Sequence, residues 1–244
     1  MNNFTFAPDT GGIIEFYVFV DRSYSTESFS NKITEHVQNM IPSIKESRAL
    51  RGIDIRLNLY SFNHNYELLI DSKSINDIDE TDIANLIREP KGATDIGKVV
   101  SAAIDKGDEF YNYVKPLAEK AGKKIYHPIY FLFTDGRPDA GMGATPEQVV
   151  EVENNFVQAC EKIHDGEKNK KRSFLIFSFQ GTKSDVVYTE NLETLYKMSS
   201  IPERVIYDSV SDKMEIKKFF EDTIPRHLIY ITQQTVERLV EKWT

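Results

Sequence analysis

The sequence predicts an α/β fold: a doubly wound, mostly parallel central sheet with one antiparallel edge strand and helices on both faces. Three observations carry this. The apolar runs 13–20, 128–133 and 174–179 are β-branched and aromatic and nearly continuous, as in strands covered on both faces. Between them lie helical stripes, Phe29, Ile33, Val37, Met40, Ile41 and Ile44 in one and Ile96, Val99, Val100, Ala103 and Ile104 in another, and such alternation of strand and helix builds a parallel sheet. Residues 53–62 instead alternate and run through Asn63-His64-Asn65 into 66–70, which reads as a hairpin adding the antiparallel edge.

Taken in order, residues 13–20 form the first buried strand; Glu15 and the short length argue against a membrane segment. The two helical stripes flank the hairpin. Thr145-Pro146-Glu147-Gln148 offers an N-cap, a proline in the first turn and a capping-box Gln, so a helix is expected to about His164. Cys160 shares its apolar face with Phe156, Val157 and Ile163 and is expected to be a buried structural thiol. A strand near 204–207, a helical stretch from Asp212 and a C-terminal helix at about 227–243, with Leu228, Ile231, Val236, Leu239 and Val240 available for core packing, complete the chain. No repeat or linker divides it, so 1–244 is read as one domain with its core at about 13–222.

At 244 residues the chain can bury a full core without staples. A net charge of -8 argues against a mainly electrostatic nucleic-acid binder, and the basic run 168–172 reads as a solvated loop. The single Cys160 excludes an intramolecular disulfide and any multi-cysteine metal site, and it fits a reducing compartment. No stretch approaches the roughly 20 apolar residues of a bilayer span, and the N-terminus lacks the layout of a secretory signal. A cytoplasmic location is therefore expected.

Chemistry concentrates in three turns. Asp21-Arg22-Ser23-Tyr24-Ser25 leaves the first strand, Lys91-Gly92-Ala93-Thr94-Asp95 opens a helix, and Thr134-Asp135-Gly136 ends a buried strand. In an open α/β sheet these turns share the edge where ligands bind. Each alone has an ordinary reading: Asp-x-Ser-x-Ser as a turn with helix capping, Thr94 as an N-cap, Asp135-Gly136 as a turn. Together, Asp21, Ser23, Ser25, Thr94 and Asp135 make an all-oxygen cluster suited to a hard cation such as Mg²⁺ or Mn²⁺.

Asp21-x-Ser23-x-Ser25, Gly92-Ala93-Thr94 and Thr134-Asp135-Gly136 resemble the metal-ion-dependent adhesion site (MIDAS) of von Willebrand factor type A (vWA) domains, over roughly residues 13–222. Arg22, Tyr24 and Ala93 are unusual there, but none removes a ligand. The single-domain format and the strand leading into Thr134-Asp135-Gly136-Arg137-Pro138 most resemble bacterial proteins of the tellurium-resistance (TerY-like) type, which would imply a stress-response role. The resemblance implies direct ligation by Ser23, Ser25 and Thr94, with Asp21 and Asp135 acting through water. It also implies a protein partner that offers an Asp or Glu to the cation, with no nucleic acid and no membrane. Arg22, Tyr24, Asp95, Arg137 and Asp139 would form the partner-selecting rim.

The competing enzyme reading makes Asp21 the nucleophile of a Mg²⁺-dependent phosphoryl transfer. Proteins of the haloacid-dehalogenase fold, which such a use of Asp21 would resemble, carry a second acid two residues on, where this chain has Ser23. There is no Gly-x-Ser-x-Gly elbow, phosphate loop or dinucleotide fingerprint, and His36, His64, His127, His164 and His227 show no legible pairing. A non-catalytic binding domain is the expectation, and a structural scaffold with an idle site is the third reading. Against the scaffold, two carboxylates held together without a cation would repel and raise a carboxylate pKa.

Overall fold

Strand β1 (Gly12–Asp21) is buried along its whole length because it lies in the middle of the sheet. The computed structural model describes residues 4–87, 89–136, 138–179, 186–199 and 205–207. Parallel neighbours of β1 are β2 (Ile53–Phe62) on one side and β5 (Ile129–Thr134) on the other. Beyond β5 follow β6 (Ser173–Ser178) and β7 (Val205–Tyr207), while β3 (Tyr66–Ser74) closes the opposite edge antiparallel to β2. A two-residue strand, β4 (Lys124–Ile125), pairs with the start of β1. The order β3-β2-β1-β5-β6-β7 runs outward from β1 in both directions. Its switch point lies between β1 and β5, where the carboxyl ends of the two strands stand side by side.

Alternate residues of β1 enter two separate cores, which explains the unbroken apolar run. Phe16, Val18 and Val20 pack with Ile33, Val37 and Ile41 of α1 (Ser30–Glu46) and with Ile83 of α2 (Glu80–Leu86). Tyr17 and Phe19 meet Ile96, Val99 and Val100 of α3 (Ile96–Lys120), Ala159 and Ile163 of α4 (Pro146–Lys168), and Leu195 and Met198 of α5 (Val186–Met198). At the α3/α4 crossing a Cβ on Gly97 would stand 2.2 Å from the Asn155 backbone, so only glycine fits there.

Within the apolar run of β1, Glu15 is a buried carboxyl. It accepts hydrogen bonds from the hydroxyl of Tyr17, from Asn58 Nδ2 at 3.1 Å and from Ser72 Oγ at 2.7 Å, and Asn58 Oδ1 accepts from the Ser72 amide at 3.0 Å. Burial pushes its pKa up against these bonds. The network sits beside the irregular register of β2 and β3, where Ser72 has φ 45°, and it ties the edge strand to the sheet centre.

The parallel sheet, its antiparallel edge and the helices on both faces agree with the expected fold class. The capping box of α4 forms as expected, with Thr145 and Gln148 bonding each other's backbone, but the helix runs one turn past His164. Two expectations on its surface need correction. Val157 is exposed, because the buried side of α4 is set by Ala159, Ile163 and Gly166, and Cys160 is only partly buried, at the margin of the core. That position still pushes its thiol up to about 12, with burial the leading cause. The stretch from Asp212 and the helix at about 227–243 lie outside the described residues.

Candidate metal centre

The first turn is held by the carboxylate with which β1 ends. Asp21 is 0 % exposed. One of its oxygens accepts from the Ser23 amide at 2.9 Å and the other from the Thr134 hydroxyl at 2.5 Å, so the carboxylate bridges the ends of β1 and β5 across the switch point. Thr134 Oγ1 in turn accepts from the Gly136 amide at 3.2 Å, shaping the second turn. Asp21 is thus the last residue of the central strand and a structural tie, not a solvent-facing turn residue.

From this anchor the hydroxyls line up. Ser23 Oγ lies 3.0 Å from Ser25 Oγ, and Ser25 Oγ donates to Asp135 Oδ1 at 3.0 Å. Asp135 is held from behind by α5, where Asn191 Nδ2 donates to its carbonyl at 3.2 Å. The third turn is stitched to the first by backbone bonds: the Tyr24 amide to the Gly92 carbonyl at 3.1 Å and the Lys91 amide to the Arg22 carbonyl at 2.7 Å. Gly92 adopts φ 81°, a conformation that favours glycine, and a Cβ there would also press on His64 Nδ1 at 2.9 Å. Thr94 is buried and forms a reciprocal backbone bridge with Asp139, each bond 2.8 Å.

Thr94 is not the N-cap of α3. Asp95 is, accepting from the Lys98 amide at 3.0 Å while Asn155 Nδ2 of α4 donates to its other oxygen at 2.9 Å. Asp95 is therefore buried and cannot belong to the rim. Arg22 is likewise withdrawn from the rim at 5 % exposure. Tyr24 and Asp139 are exposed beside the site, and Arg137 lies outside the described residues. Sequence reasoning missed Asn155 and Asn191, single polar residues on distant helices whose spacing carries no signal.

Electrostatics make the cluster costly by itself. Burial, and then the charge of Asp21, pushes Asp135 up to about 7 against the Ser25 hydrogen bond. Asp21 is also raised by burial, with Thr134 and Ser23 opposing. Among the described residues neither carboxylate forms an ion pair. No group of three or more His, Cys, Asp or Glu able to hold a metal occurs there either, so a cation at this place would depend on serine and threonine oxygens. The donors present suit a hard, oxygen-seeking cation.

No protein-family model matches the sequence, and no curated protein matches it. Solved structures do match. Proximal thread matrix protein 1 from the mussel byssus aligns at 16% identity and TM-score 0.51 over 90% of this chain and 47% of its own; its form with a zinc-occupied MIDAS motif aligns at 13% and 0.53 over 88% and 48%. The pilus adhesin SpaC from Lactobacillus rhamnosus GG aligns at 12% and 0.54, over 92% of this chain and 30% of that one. The PilB minor pilin from Streptococcus sanguinis aligns at 14% and 0.53, over 93% and 64%. This chain thus spans less than two thirds of each. At such identities the likeness establishes a vWA-like α/β fold and nothing finer.

Proposed function

We propose that the protein is a metal-dependent protein-binding domain, in which Ser23, Ser25 and Thr94 ligate a divalent cation and Asp21 and Asp135 hold it through water. The observation that carries this reading is the pair of buried carboxylates at the switch point, Asp21 held by the Ser23 amide and the Thr134 hydroxyl and Asp135 by the Ser25 hydroxyl at 3.0 Å, with neither in an ion pair among the described residues. A cation would offset the repulsion that raises Asp135. Mg²⁺ is the first expectation and Mn²⁺ the alternative; the zinc-occupied MIDAS motif of the mussel protein gives a precedent for a divalent ion on this fold.

Neutral hydroxyls donate less charge than carboxylates, so the ion would remain a strong local attractor for an anionic group. An Asp or Glu of a partner protein is the proposed group, and no turnover follows. Phosphoryl transfer by Asp21 is disfavoured because both of its oxygens already accept hydrogen bonds inside the fold, which leaves it poorly placed for in-line attack. The TerY-like resemblance adds a bacterial stress-response setting in the cytoplasm as part of the proposal. No helix among the described residues is long and apolar enough to cross a membrane.

The test is capture of proteins from native cytosol on immobilised protein with Mg²⁺ and again with EDTA. Partners retained only with Mg²⁺, and lost with Ser25→Ala, support the reading. A complex indifferent to chelation overturns it, and so does hydrolysis of a generic phosphomonoester that is abolished by Asp21→Asn.

A further inference from the structure

Arg22 points to a second site. Its amide donates to the Phe62 carbonyl and its own carbonyl accepts from the Lys91 amide, so the backbone is fixed between the end of β2 and the third turn. Arg22 is 5 % exposed, and its Nε and Nη1 are buried with no hydrogen-bond partner among the described residues. A buried guanidinium keeps its charge, and leaving its N–H groups unpaired is among the costlier defects a fold can carry.

Arg22 lines a cavity of about 460 Å³. One wall is formed by Ser30, Asn31 and Thr34 at the start of α1 and by Glu27 of the 3-10 turn (Tyr24–Phe29) that precedes it, and Glu89 lines it from the loop after α2. Glu27 and Glu89 are exposed and form no ion pair with Arg22 among the described residues. The walls therefore offer one buried cation in need of an acceptor and two carboxylates at the mouth, together with hydroxyl and amide groups. A bare anion would meet the two glutamates, and a bare cation would meet Arg22.

We propose that this cavity binds a dipolar group, a carboxylate received by the Arg22 guanidinium and an alkylammonium or guanidinium received by Glu27 and Glu89. The volume lies in the range of small-molecule sites, enough for a free amino acid or for an acidic and a basic side chain adjacent in a partner protein. None of the five proposed metal ligands lines the cavity.

The test uses the isotope-labelled full chain in EDTA, which removes any contribution from a cation. The Arg22 Nε–Hε NMR signal, assigned by its loss in Arg22→Lys, is followed while acetate, ethylammonium, glycine or acetyl-Asp-Lys-amide is added. The signal should move saturably with glycine or with the dipeptide at concentrations at least about tenfold below acetate, corresponding to about 1.4 kcal/mol of preference. Glycine alone as the effective probe assigns a free amino acid; the dipeptide alone assigns a protein segment. Glu89→Gln should weaken the dipolar probe and strengthen acetate, and at an exposed position it carries the comparison even where a change at Arg22 prevents folding. Equal response to acetate and the dipolar probes, a Glu89→Gln variant that responds like the parent, or no saturable movement by about 50 mM overturns the proposal. An Arg22 that merely fills space gives the last result.

Discussion

Replacing Asp135 by Asn separates the cost of assembling the site from the use of the site. The carboxyl is 7 % exposed and is pushed from its ordinary 3.8 to about 7, first by burial and then by the charge of Asp21. Between those pH values the folded protein holds a proton that the unfolded chain has released, so the contribution of Asp135 to stability falls as pH rises through that window and is fully lost above about 7. At about 1.4 kcal/mol for each pH unit, the ionised carboxylate costs the metal-free fold up to about 4 kcal/mol. This is a ceiling, because Asp21 titrates in the same cluster and proton uptake by either relieves both. Asparagine has no charge to desolvate and keeps an oxygen to accept from Ser25. Urea unfolding in EDTA at pH 8 should therefore find Asp135→Asn more stable than the parent by about 1–4 kcal/mol, with most of the difference gone at pH 5. Mg²⁺ at a hundredfold its Kd at pH 8 should shift the difference toward the parent by about 2.7 kcal/mol, because the cation stabilises the parent alone. A variant no more stable than the parent in EDTA at pH 8, or a difference independent of pH, refutes the reasoning.

Ser25→Ala and Thr94→Ala should each abolish the Mg²⁺-induced rise in melting temperature while changing the EDTA melting temperature little; a retained rise removes that residue from the ligand set. Glu15→Ala should cost about 3 kcal/mol in urea unfolding because it strands the donors of Tyr17, Asn58 and Ser72, whereas Glu15→Gln should cost less than half as much. Gly97→Ala should lose about 3 kcal/mol or more, since the added methyl would stand 2.2 Å from the Asn155 backbone; an unchanged midpoint would mean that α3 and α4 are not packed so closely.

The sheet was legible because its strands are short, apolar and covered on both sides, so their sequence needs no partner to be read. The weak elements were not. Helix α2 has seven residues, too few for a 3.6-residue period to repeat, and β4 has two. In the site, the motif residues could be located because they terminate strands or open a helix, but their exposure could not. Whether Arg22 faces water depends on the loop some seventy residues away that bonds its backbone through Lys91, and on the start of α1. The most consequential ambiguity was local. Thr94 and Asp95 are adjacent and both are capping residue types, so sequence alone cannot say which one takes the amides of α3. The structure gives that task to Asp95, whose second oxygen is locked by Asn155, while Thr94 engages Asp139 through its backbone. The capping role and the proposed ligand role, which would compete for one hydroxyl if Thr94 were the cap, thus fall to different neighbours. A helix start that spends a carboxylate on its cap does not call on the Thr94 hydroxyl for that purpose, so the proposed hydroxyl-rich cation site is compatible with a well-capped α3.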